Sequence, residues 1–213
     1  ENFNQNNANR TYTAIDKRIK DTYIKESKAQ NRIVVYDMYT RFLRWATDRI
    51  KDGIICFITN SSFLDARAFD GLRKCIQNEF SFAYFVDLGG NVRAISGKNG
   101  IFISEKHTIF GTSAMTGITI GFLVKDAKAK GSKIFYSNPF HEHELRENKI
   151  NYLTTNNFQD FDFEHITPDK KYNWINQTEN DFDILIPLID KDVKTGKAQQ
   201  AVFQVFSSGI KTQ

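Results

Sequence analysis

Several things are scarce in this 213-residue chain, and each scarcity narrows what it is. Its two cysteines, Cys56 and Cys75, form no Cys-x-x-Cys pair, which excludes a disulfide scaffold or a cysteine zinc site. They read as two small buried hydrophobes in a reducing compartment, so a cytoplasmic location is expected. No apolar run approaches the roughly 20 residues needed to span a bilayer, no signal-peptide pattern opens the chain, and no membrane partner is expected. The three prolines, Pro139, Pro168 and Pro187, all fall in the last third, which argues against long disordered linkers and marks a change of character near residue 138. P-loop, Ser/His/Asp order, internal repeat and heptads are all missing. The net charge of +4 permits a polyanionic partner without requiring one.

What is abundant is phenylalanine, 19 residues, in a chain long enough to bury a sizeable aromatic core. The most legible stretch is Tyr36 to Leu64. Val35, Tyr39, Phe42, Leu43, Ala46 and Ile50 follow helical spacing, and Lys51-Asp52-Gly53 stops that helix. Ile54 to Ile58 is then a continuous apolar run, which predicts a strand covered on both faces in the middle of a parallel sheet. It ends in Thr59-Asn60-Ser61-Ser62, where such sheets place ligand chemistry. Phe69, Leu72, Cys75, Ile76 and Phe80 predict the next helix, and Ser81 to Asp87 a second strand parallel to the first. Leu88 to Phe110 reads as a basic, Gly-rich loop, Thr116 to Lys125 and Lys133 to Tyr136 as strands, and His141 to Asn151 as a short polar helix. Before all this, Glu1 to Thr13 is polar and aperiodic, and residues 15 to 27 form a basic helix with Ile15, Ile19, Tyr23 and Ile24 on one side. Solvent is the simplest partner for its lysines.

Few constellations carry chemistry by themselves. Asp87-Leu88-Gly89-Gly90-Asn91 has the look of a nucleotide-binding turn, but no helix is expected behind it and no acidic residue follows at the right distance. Asn138-Pro139-Phe140 lacks the second proline of an amino-methyltransferase turn. His141 and His143 have no further ligands in sequence reach, so no metal site is expected. Phe110, at the end of the Gly-rich loop, presents a ring at the rim of the sheet or simply joins the core.

The order Tyr36-Asp37-Met38-Tyr39-Thr40-Arg41-Phe42, then Gly53 to Leu64, then Ile109-Phe110 before Phe122-Leu123-Val124-Lys125, resembles the second half of a γ-type DNA adenine-N6 methyltransferase. The likeness is to the fused restriction–modification proteins of bacteria and covers roughly residues 10 to 136. It implies an α/β fold: a partial, Rossmann-like class I methyltransferase sheet over residues 1–137. An irregular α+β connector over 138–213 would then lead to a target-recognition region. It implies that Phe42 packs beside the adenine of S-adenosylmethionine and that Asn60 closes the same cleft. It further implies that Phe110 stacks on a flipped target adenine and that Arg93 and Lys98 lie near the phosphates of double-stranded DNA. The Gly-rich cofactor turn and the catalytic Asn-Pro-Pro-aromatic turn of that family are both missing, so no catalytic residue is expected in this chain. It is expected to be an inactive piece of a longer methyltransferase, with a nuclease and recognition region elsewhere. The alternatives are a non-catalytic DNA-binding module of the same architecture and an α/β scaffold unrelated to nucleic acid.

Overall fold

The computed structural model describes residues 11–29, 31–98, 100–177, 185–196 and 200–205. The sequence-level reading of Ser207 to Gln213 as a turn-like string, and of the first ten residues as loop, lies outside them. The chain divides into two units, Glu1–Gln177 and Thr178–Gln213. Among its described residues the second holds a helical turn at Lys191–Lys194 and a bridge between Ile189 and Phe203.

The first unit is built on a five-stranded mixed sheet in the order β1-β3-β2-β4-β5. The strands are β1 (Gly53–Asn60), β2 (Phe82–Asp87), β3 (Ile118–Lys125), β4 (Lys133–Ser137) and β5 (Glu164–Ile166). β3 runs antiparallel to both β1 and β2, so those two share a direction as expected, with β3 inserted between them. β2 pairs with β4 in parallel, and β4 with β5 antiparallel. The unit thus continues through β5 and the Trp174 loop, beyond the change of character at residue 138.

Helices α1 (Thr13–Ile19, continued by a π-helical turn at Lys20–Ile24), α2 (Met38–Thr47) and α3 (Asp70–Glu79) cover one face of the sheet. They bury Ile19, Tyr23, Leu43, Leu72 and Ile76 against Ile55, Ala83, Phe85 and Leu123. Trp174 belongs to this core: it is 2% exposed and stacks on Phe85 at 5.2 Å. The opposite face at β2 and β3 is covered by Phe158, Phe161 and Phe163, whose alternation with acidic residues puts rings on the sheet and leaves Asp160 and Asp162 in solvent.

One expectation is overturned here. β1 is an edge strand, not a central one: its second edge pairs with no strand among the described residues, and Ile54 and Ile58 are 65% and 59% exposed. Cys56, read as buried, is exposed, whereas Cys75 is buried. The reason is that the aromatic cover formed by residues 158 to 163 reaches β2 and β3 and does not extend to β1. Two smaller corrections concern helices. The Gly-rich loop contains α4 (Val92–Ile95), capped by the Asn91 side chain, and the polar helix lies later than expected, as α5 (Arg146–Thr155).

The basic helix spends part of its charge internally. Arg18 donates two hydrogen bonds of 2.8 Å to Asp48, and Arg44, 2% exposed, is gripped by Asp48 at 2.6 Å and by both oxygens of Glu79. The Arg18 hydrogen bond, reinforced by the charge of Arg44, holds the Asp48 carboxyl below its ordinary range despite burial. A depressed folded-state pKa stabilises the fold above the unfolded value, near 3.9, and that contribution is lost as pH falls through the folded value. Asp48→Asn should therefore lower stability at pH 7 by on the order of 1–3 kcal/mol, seen as a lower melting temperature, and flatten the decline below about pH 4. Thermal melts across pH 3 to 7 check this.

Candidate binding cleft

Three segments far apart in sequence meet around one cleft of about 690 Å³. The first is the start of α2, opened by Asp37, whose carboxylate accepts from the Met38 amide at 2.6 Å. It contributes Met38, Tyr39, Phe42 and Leu43, and Phe42 is 56% exposed. The second is the C-terminal end of β1, with Phe57, Ile58, Thr59 and Asn60. Asn60 turns the chain by accepting from the Ser62 amide at 2.7 Å, and the strand passes into a short 3-10 turn. The third is the approach to β3, where Phe110, 46% exposed, stands with Ser113, Ala114 and Thr116. Phe85, Leu123 and Gly121 complete the lining; a Cβ on Gly121 would stand 3.2 Å from the Phe85 ring, so this glycine makes room for it.

The lining is mostly apolar and aromatic, with a few polar atoms that want partners. The Tyr39 hydroxyl and Thr59 Oγ1 are buried and make no hydrogen bond. Burial, helped by the charge of Asp37, pushes the Tyr39 phenol well above its ordinary value, so it stays a neutral donor at any physiological pH. Buried hydroxyls without partners are uncommon and costly, and both lie behind the cleft surface, whose apolar and aromatic lining suits a flat ligand. Tyr39 was legible only as a core position, since helical spacing describes its ring and says nothing of its hydroxyl.

Phe42, Asn60 and Phe110 thus come together. Arg93 lines an adjoining cavity of about 340 Å³ with Asp37, Ser62 and Phe69, and Tyr39 and Asn60 belong to both cavities. Lys98 does not line either; it sits in a tight turn bridged to Ile101. The Gly-rich turn after β2 has its own work. Asp87 accepts from the Gly89 amide at 2.8 Å and from the Tyr136 hydroxyl at 2.9 Å, and burial raises its carboxyl above the usual range. Gly90, at φ +77, lets the turn approach so closely that a Cβ would lie 3.1 Å from the Thr108 Cα. His141 pairs with Glu144 at 3.0 Å, and no group of three or more His, Cys, Asp and Glu suited to a metal occurs among the described residues. Nor is any helix among them long and apolar enough to cross a membrane.

No family model matches the sequence, and no curated protein does. Solved structures do. The chain is 40% identical over 96% of its length to part of DrdV in its cryo-EM complex with DNA, with a TM-score of 0.79. A nuclease-deletion mutant of the Type ISP restriction-modification enzyme LlaGI, in complex with a DNA substrate mimic, is 32% identical over 89% of the chain at a TM-score of 0.78. The ATP-dependent Type ISP enzyme LlaBIII, bound to DNA, is 31% identical over 94% at 0.72. In fold and in about a third of its residues, the chain is similar to one region of restriction–modification enzymes. It spans only 20%, 18% and 13% of those three chains.

Proposed function

We propose that this chain is the second half of an adenine-N6 methyltransferase region within a larger restriction–modification protein that acts on double-stranded DNA. The observation that carries the reading is the meeting of Phe42, Asn60 and Phe110 around one mostly apolar, aromatic cleft. Similarity to DNA-bound restriction–modification enzymes supports it. In this reading the Phe42 ring lies against the adenine of S-adenosylmethionine, and Asn60 closes the same cleft at the end of β1. The cofactor, when bound, supplies the methyl group. Phe110 stacks on a target adenine turned out of the duplex, since the amine cannot be reached inside the stack. Arg93 and Lys98 are assigned to backbone phosphates.

The bare edge and outer face of β1 fit the same reading. A strand that is apolar on both faces but covered on one is what remains when the other half of a sheet is supplied elsewhere in the polypeptide. The Gly-rich cofactor turn and the Asn-Pro-Pro-aromatic turn would arrive with that half. The chain alone should therefore transfer no methyl group and bind the cofactor at least about tenfold more weakly than the full polypeptide, as titration calorimetry would measure.

Thiol labelling gives a second readout of the missing cover. Burial pushes the Cys75 thiol up to about 12, so it stays unreactive, while Cys56 is exposed and should react with a maleimide in the isolated chain. In the full polypeptide Cys56 should be protected. Adenine methylation by the isolated chain, or equal labelling of Cys56 in both forms, would sink the reading of this chain as half a domain.

A further inference from the structure

Lys149 is a buried cation that nothing described so far requires. It is 0% exposed, and its Nζ donates to the carbonyl of Leu88 at 2.7 Å and to that of His107 at 2.9 Å, above the Phe140 ring at 5.5 Å. It forms no ion pair among the described residues. The charges of Asp87 and Glu144 favour it from a distance, but burying an ammonium group without a direct carboxylate contact costs more than filling the same space with an apolar side chain. What the lysine adds is a fixed tie between two backbone segments, the glycine turn after β2 and the segment leading to Phe110.

That second segment is internally stiff. The Ser104 amide donates to His107 Nδ1 at 2.9 Å, and the Thr108 hydroxyl, on a residue only 1% exposed, bonds to the carbonyls of Glu105 at 3.0 Å and Gly111 at 2.7 Å. Phe110 therefore belongs to a small hydrogen-bonded loop whose anchors are Ile109 in the smaller core cluster, the close approach of Gly90 to Thr108, and the bond from Lys149 to the His107 carbonyl. Arg146, three residues before Lys149 on α5, touches the same loop: a Cβ at Gly111 would be 3.5 Å from its Nη1. The helix thus holds the loop at both ends, one contact buried and the other at the surface.

We infer that α5 is a brace that sets the position of Phe110, with Lys149 as the main positioning residue and Arg146 as the outer one. The inference rests on the reading of Phe110 as the ring that receives the flipped base. It assigns a role in the chemistry to a segment that the sequence marks only as a connector. Loss of the brace would leave cofactor and DNA affinity intact and displace the stacking ring, so the damage should appear after binding.

The test uses the full polypeptide, as wild type and Lys149→Met, on a duplex with 2-aminopurine in place of the target adenine and on the natural duplex. Methionine keeps the length and apolar volume and removes both donors. The expected result is duplex and cofactor affinities within about twofold of wild type, a several-fold smaller 2-aminopurine fluorescence rise, and a methylation kcat lower by about 10- to 100-fold at unchanged KM. Unchanged fluorescence and kcat in the variant would overturn the brace. Absence of any fluorescence rise in the wild type would overturn the reading of Phe110 and the brace with it. If Lys149→Met does not fold, the exposed Arg146→Ala decides: a two- to threefold smaller fluorescence rise supports the brace, and an unchanged rise overturns it.

Discussion

Gly71→Ala should leave the chain without a stable fold. Gly71 opens α3 where that helix meets the π-helical turn after α1, and an added Cβ would fall 2.0 Å from the Tyr23 carbonyl oxygen and 2.7 Å from the Ser27 amide. Both neighbours are backbone, so no side chain can swing aside. The junction is also bonded at the residue before the glycine: Asp70 accepts from the Ser27 hydroxyl and, at 2.8 Å, from the Lys28 amide. Relief requires α3 to move away as a body, unpacking Leu72, Cys75 and Ile76 from Tyr23 and opening the side of the cleft that Ile76 lines. Overpacking a core by a methylene costs about 1–3 kcal/mol, and a backbone clash of this depth should exceed about 4 kcal/mol, most or all of a domain's stability. Urea unfolding checks it. Gly131→Ala is the control: its φ is +78 and nothing stands within 4 Å, so the loss should stop at about 1–2 kcal/mol of backbone strain. Equal losses at the two positions would show that the packing of α3 is not what limits stability.

The second large effect is functional. Phe110→Ala, in the full polypeptide, should lower methylation kcat/KM by about 5- to 150-fold, the equivalent of the 1–3 kcal/mol that one aromatic ring contributes to stacking on a base. The side chain is 46% exposed and outside both core clusters, so melting temperature should hardly change. Phe110→Tyr, which keeps the ring, should retain most activity. Phe42→Ala is the counterpart for the cofactor: it should raise the dissociation constant of S-adenosylmethionine about tenfold and leave base flipping intact. The two rings are thereby assigned different ligands. If both substitutions weakened the cofactor and spared flipping, Phe110 would belong to the cofactor wall and the division proposed for the cleft would be wrong.

Much of this was readable from residues alone, and the misses have physical causes. The spacing of Tyr39, Phe42, Leu43 and Ala46 located α2 and the apolar run from Ile54 located β1, but the helix ends at Thr47, short of the expected stop at Lys51-Asp52-Gly53, and Gly53 opens the strand. The same run misled about the position of β1, because a sequence records what a strand is built to be covered by, whereas exposure depends on which segments are present to cover it. Trp174 lies among Asn and Lys residues, a composition that signals loop and gives no sign of burial. It is buried because Arg73, itself 0% exposed, donates to the Tyr172 carbonyl at 2.6 Å and to those of Phe63 and Ala66 at 2.9 Å, pulling that loop onto the strand end. The three cleft residues came from a resemblance in motif order, since no periodicity links Phe42, Asn60 and Phe110. Lys149 had no signal, being one lysine among many polar residues of a helix whose apolar pattern is weak.

Detection of the product tests the central claim most directly. The full polypeptide is incubated with duplex DNA and isotopically labelled S-adenosylmethionine, and the digested nucleosides are separated by mass. The account predicts label in N6-methyladenine, with a yield that falls in Phe110→Ala. Label in a cytosine, or no transfer by a folded protein that binds the duplex, would contradict it.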